Sequence, residues 1–149
     1  MLSQEKEIDT AYFQFVIVKG HSSLLIDKPN KILKVIWSGE VDKDTASVLL
    51  TRGADLVEAG SASKLLLNRK ELMHFSKGAK NWIKEVLLKQ RAKKLVNKVL
   101  KVATVKSSSA IGNLFSNVIT SAIRMIFPNL KMNQFETEEE ALYWLLADQ

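Results

Sequence analysis

The chain has no cysteine, two prolines, six glycines and two histidines in 149 residues. Without cysteine there is no disulfide, no thiolate metal site and no thiol nucleophile. The two histidines, His21 and His74, fall in no HExxH or comparable spacing, so no second ligand or nucleophile is placed beside either one. They read as loop histidines, and no catalytic residue, metal site or cofactor is expected. Long apolar runs are also lacking. The longest weakly charged stretch, 111–127, is interrupted by Gly112, Asn113, Ser116, Asn117, Thr120, Ser121 and Arg124, which argues against a membrane span. The opening MLSQEKEID carries three acids and no basic segment leading into an apolar one, unlike a secretory signal. A cytoplasmic location is expected.

What is present is the composition of a globular domain: 46% hydrophobic and 26% charged residues, in a length that one core can serve. A single domain over 1–149 is expected. FETEEEALYWL, residues 135–145, shows how the patterns read. Thr137 and Glu140 fit a capping box, in which each side chain bonds the other residue's free backbone N–H. The three acids favour the positive end of the helix dipole, and Ala141, Leu142, Trp144 and Leu145 recur at helical spacing. The acidic run is a helix start.

Further helices are expected from about 44 to 59, burying Ala46, Leu49, Leu50, Leu56 and Val57 and stopping at Gly60, and around Ala79 to Leu87 behind Ser76 as N-cap. Another runs from 111 to 127, with Ile111, Leu114, Phe115, Val118, Ala122 and Met125 on its inner stripe. Strands are expected near 12–18, on both sides of the turn Asp27-Lys28-Pro29-Asn30, and near 64–67, 99–105 and 130–135. Trp37, Trp82 and Trp144 lie in apolar patterns and read as core or near-core residues. The order is a hairpin followed by alternating helices and strands. It predicts an α/β fold, with the N-terminal hairpin leading into a mostly parallel sheet flanked by about four helices.

This order, with VIWSGEV at 35–41, KLLLN at 64–68, KVATV at 101–105 and the ending FETEEEALYWL, resembles the SpoIIAA-like family of the STAS superfamily over about residues 32–146. The resemblance implies a small sheet flanked by helices, in a superfamily of protein–protein regulators, notably anti-sigma-factor antagonists. In those antagonists a serine in an Asp-Ser-Ser-Gly-type stretch after the third strand is phosphorylated to release a partner. The corresponding stretch here is LLLNRKELMHFSKGAK, with Asn68 and Arg69 where that motif would begin, so the usual phosphorylatable motif is absent.

Two regions stand out as candidate sites. KSSSAIGN at 106–113 joins a strand to a helix, a place where backbone N–H groups can hold an anion. It lacks the GxxxxGK[ST] pattern, and Ser107 or Ser108 is expected to cap the helix. On that helix Asn113, Ser116, Asn117, Thr120 and Ser121 are expected outside, with Arg124 the only charge. Ser107, Ser108, Asn113, Asn117, Thr120 and Arg124 form the candidate partner or ligand surface. The second region lies between Lys84 and Lys106, where eight basic residues meet one acid. That gives +7 against a total of +6, so the rest of the chain sums to −1. Lys89, Arg91, Lys93, Lys94 and Lys98 form the candidate basic patch. No aromatic residue lies within it for stacking on bases, which argues against nucleic acid. The expected partner is a protein or a second copy of the chain, with anionic lipid as an alternative. The reading is a non-enzymatic regulatory or interaction module, with a carrier of a lipid or other small apolar ligand as its alternative.

Overall fold

The structure, a computed structural model, describes residues 12–147, apart from the side chains of residues 112 and 114–119. Six strands form one sheet in the order β1 (Gln14–Lys19), β2 (Ser22–Asp27), β3 (Ile32–Val41), β4 (Lys64–Phe75), β5 (Lys101–Val105) and β6 (Lys131–Phe135). The first three are antiparallel neighbours, and β3 to β6 run parallel. The β2–β3 turn is set by Asp27, whose carboxylate accepts from the Asn30 backbone N–H at 3.1 Å and from the Asn30 side chain at 2.8 Å.

The parallel strands advance in one direction across the sheet, and right-handed crossovers then put every connecting helix on the same face. These helices are α1 (Lys43–Glu58), α2 (Lys77–Trp82) and α4 (Ala110–Ile126). After α2 the chain winds as a π-helical segment over Ile83–Arg91 and ends in the short α3 (Ala92–Leu95). The last helix, α5 (Glu138–Leu146), leaves the edge strand β6 and covers the opposite face. Accordingly there are two cores. Leu24, Val35, Trp37, Leu49, Leu72 and Ile83 pack on the crossover face, and Ile32, Leu66, Ala103, Val105 and Leu145 pack beneath α5.

Local signals fix the helix ends. Asp42 caps α1 by accepting from Thr45 N–H at 2.8 Å. The helix closes in a Schellman arrangement, with Ser61 N–H to Leu56 O at 2.9 Å and Gly60 N–H to Val57 O at 3.0 Å. Gly60 is there because its φ of +81° suits no side chain. Ser76 caps α2, and the capping box of Thr137 and Glu140 opens α5.

The main departure from expectation is β4, which continues eight residues past 67 to Phe75. The register against β3 shifts between Ile36 and Ser38 and again between Gly39 and Glu40. Each shift inserts an extra residue into β4, so beyond Asn68 the buried positions Arg69, Leu72 and Phe75 follow one another every third residue on the crossover face. Such bulges erase the two-residue alternation by which a strand is recognised. His74 consequently lies in a strand and not in a loop, where its Nε2 meets Glu40 Oε2 of the neighbouring strand at 2.6 Å.

Candidate functional site: the 110–126 helix and the cavity beneath it

β5 pairs with only the first part of β4, from Lys64 to Asn68, so the edge beyond offers backbone carbonyls with no strand to receive. The serine run fills that role. Ser107 Oγ donates to Leu72 O at 2.7 Å, Ser108 Oγ to Lys70 O at 2.6 Å and Ser109 Oγ to Met73 O at 3.2 Å. Unpaired carbonyls of a bulged strand are thereby satisfied by side chains. Ser107 is buried, which removes it from the expected surface, and its hydroxyl accepts from Ser109 N–H at 2.9 Å. Ser109, and neither Ser107 nor Ser108, directly precedes the first residue of α4. Asn113 reaches back from the first turn, accepting from Ser107 N–H at 2.9 Å and donating to Ser107 O at 2.8 Å. It is a brace between loop and helix more than a contact residue.

The orientation of α4 departs from the expected one at Ile111, Met125 and Thr120, while Ser121 lies exposed as expected. Ile111 and Met125, assigned to the inner stripe, are 66% and 84% exposed. Fourteen residues apart, they lie only about 40° from each other around the helix. Thr120, assigned to the outside, and Ile123, about 160° from Met125 on the helical wheel, line a cavity against the sheet. The sequence of α4 is amphipathic, with Asn113, Thr120 and Arg124 on one side of the helical wheel and Ile111 and Met125 on the other, so its local pattern points to an inner face different from the one that holds Thr120. Arg124 is exposed, as expected. The side chain of Asn117 lies outside the described residues.

The cavity has a volume of about 100 Å³. Trp37 and Phe75, in edge-to-face contact with ring centroids 5.2 Å apart, line it together with Leu67, Ile83, Leu87 and Leu88. Its polar lining comes from Thr104, Thr120 and Arg69. Leu65, Leu67 and Arg69 alternate onto the crossover face, whereas Asn68 turns to the other, donating to Glu138 Oε1 at 2.8 Å. Arg69 is only 5% exposed. One nitrogen, Nη1, approaches Asn113 Oδ1 at 3.4 Å, and among the described residues Nε has no hydrogen-bond partner. Burial pushes the guanidinium pKa down from its ordinary value. The sequence carried no signal of this site, since nothing local distinguishes a buried arginine from a solvated one.

Within the basic segment several charges are held by acids or main-chain oxygens. Arg91 is held by Glu58 at 2.6 Å and Asp55 at 2.9 Å, Lys89 pairs with Glu85 at 3.1 Å, and Lys98 donates to Glu58 O at 2.9 Å. Lys101 is buried and donates to Trp144 O at 2.9 Å and Ala147 O at 3.1 Å, at the negative end of α5. Lys106 pairs with Glu136 at 3.0 Å. Lys93 and Lys94 remain exposed on α3. Among the described residues, no helix is long and apolar enough to cross a membrane.

No protein-family model matches the chain, and no curated protein does. Among solved structures it is similar to the anti-sigma factor antagonist SpoIIAA in its unphosphorylated form. The TM-score is 0.51 at 14% identity, over 88% of this chain and 94% of that one. The fold is therefore the α/β fold of SpoIIAA, the STAS fold that the sequence motifs led us to expect.

Proposed function

We propose that this chain is a cytoplasmic, non-enzymatic regulatory module that works by protein contact through the outer stripe of α4. A second copy of the chain is the simplest occupant. The observation that carries this reading is the exposure of Ile111 and Met125 at the two ends of a helix with one charge. An apolar stripe of that kind suits a protein partner better than water. The similar fold of SpoIIAA, an anti-sigma factor antagonist, supports a regulatory role by analogy of fold. The serines nearest the helix support a structural role for this loop, because their hydroxyls donate to main-chain carbonyls. These hydrogen bonds commit the serines to holding the loop.

The carrier alternative is narrowed by size. A cavity of about 100 Å³ is smaller than the roughly 150 Å³ that accommodates benzene, which supports protein contact over lipid carriage beneath α4.

Sedimentation velocity across a concentration series tests the proposal. The wild-type chain is expected to shift toward a dimer as concentration rises, and the double variant Ile111→Asp, Met125→Asp to remain a monomer with an unchanged circular dichroism spectrum. A wild-type chain that stays monomeric throughout would remove the self-association, and equal association by the double variant would remove the helix from the interface.

A further inference from the structure

Arg69 presents a chemical problem that the interaction reading does not use. A guanidinium carries five N–H donors and stays protonated in proteins. Here it lies 5% exposed on the wall of an apolar cavity and, among the described residues, has one long bond to a neutral amide and an Nε with no hydrogen-bond partner. The Asn113 amide is already engaged with the backbone of Ser107, so it offers little to the cation. Among the described residues no carboxylate pairs with the guanidinium: Glu138 is held by Lys34 and Asn68 on the other face, and Asp55 and Glu58 by Arg91. A buried charge without a counter-ion is a costly arrangement, and buried arginine is the side chain best shaped to grip a carboxylate with two parallel hydrogen bonds.

We propose that Arg69 is the anion-recognising group of a small-ligand site, and that the ligand is a short-chain carboxylate. Its carboxylate would sit on the guanidinium, and its alkyl group would fill the space between Trp37, Phe75 and Ile123. Thr104 and Thr120, the other polar residues of the lining, are placed to take part in holding the head group. The size of the cavity sets the length of the tail. About 100 Å³ amounts to roughly three or four times the volume of one liquid water, which suits an acid of two to four carbons. Fatty acids are too long. The cavity lies under the same helix whose outer stripe we assign to protein contact, yet the site stands without that reading, because its test involves no partner.

The test is thermal unfolding of the whole chain with sodium propionate, using propionamide and sodium chloride at matched concentration as the neutral and ionic controls. Propionate is expected to raise the midpoint saturably, by roughly 5–10 °C at a hundredfold excess over the dissociation constant. The two controls should leave it nearly unmoved, and sodium octanoate should act no better than chloride. In Arg69→Met, which keeps the length of the side chain and removes its charge, the propionate effect should fall at least tenfold. An equal rise with chloride, an equal rise in Arg69→Met, or no rise in the wild-type chain would overturn the proposal. Should Arg69→Met fail to fold, the wild-type indole N–H resonance of Trp37, assigned through Trp37→Phe, decides alone. It should move with propionate and not with propionamide, and a stationary Trp37 signal would overturn the site.

Discussion

Replacing Thr137 by alanine removes one half of the box that opens α5, and the consequence can be worked from its geometry. Glu140 N–H donates to Thr137 Oγ1 at 3.2 Å, and Thr137 N–H donates to Glu140 Oε1 at 3.3 Å. Both distances are at the long end for hydrogen bonds, and both groups are exposed, so the loss belongs in the lower half of the range for N-caps, about 0.5–1 kcal/mol. The helix itself stays anchored. Ala141, Leu142 and Leu145 are buried on the sheet, and Glu138 is tied to it through Lys34 and Asn68 at 2.8 Å each. Truncating Leu145, fully buried, would cost several times more, about 2–5 kcal/mol. For a chain of this size the expected fall in thermal midpoint for Thr137→Ala is roughly 1–4 °C. Thr137→Ser, which keeps the hydroxyl, should lie close to the wild type. Calorimetry of the wild type, Thr137→Ala, Thr137→Ser and Leu145→Ala checks this. A midpoint for Thr137→Ala equal to that of the wild type would refute the cap as a source of stability, and a loss as large as that of Leu145→Ala would mean that the whole helix had detached.

Two further perturbations probe other joints of the fold. Arg91→Ala should destabilise by about 1 kcal/mol, the upper end for a partly exposed pair, because it removes the forked contact with Glu58 and the contact with Asp55 that tie the π-helical segment to α1; urea unfolding at low and high salt checks it, with a smaller difference at high salt. The Asp42 carboxyl is held below its ordinary range, chiefly by the backbone N–H of Thr45. A folded-state pKa depressed in this way gives stability that is present above the unfolded value and is lost as pH falls through the folded one. Asp42→Asn, which keeps an acceptor at the cap, should therefore flatten that part of the acid limb of the stability curve, as urea midpoints measured from pH 2 to pH 6 would show.

The parts of the fold that were legible in the sequence are those decided by neighbours in the chain. The Thr137 box, the Ser76 cap, the stop at Gly60 and the Asp27 turn each depend on residues three or four positions apart, and all are in place. β4 was not legible past Leu67, because two bulges set against β3 replace alternation with a three-residue spacing, and that register belongs to a strand pair no local window contains. The face of α4 escaped for the opposite reason. Its amphipathic pattern points to one inner face, and the assembled structure instead sets Thr120 beside Ile123 against the sheet and leaves Ile111 and Met125 exposed. Ser107 illustrates a third case. Its role comes from carbonyls of β4 that have no strand beside them, and only the short pairing of β5 reveals them. Arg69 belongs with these, since the burial of its charge is a property of the assembled cavity.

The account turns on which side of α4 faces outward and whether that side meets another protein. Because the chain contains no cysteine, a single introduced thiol reports on one position without interference. Met125→Cys should react with a thiol reagent at nearly the rate of a free thiol in dilute solution, and ever more slowly as protein concentration rises and the stripe is covered. Thr120→Cys should react slowly at every concentration. A Met125→Cys thiol that is protected even in dilute solution would contradict the orientation of the helix, and one that reacts equally fast at all concentrations would contradict its use as the contact between copies.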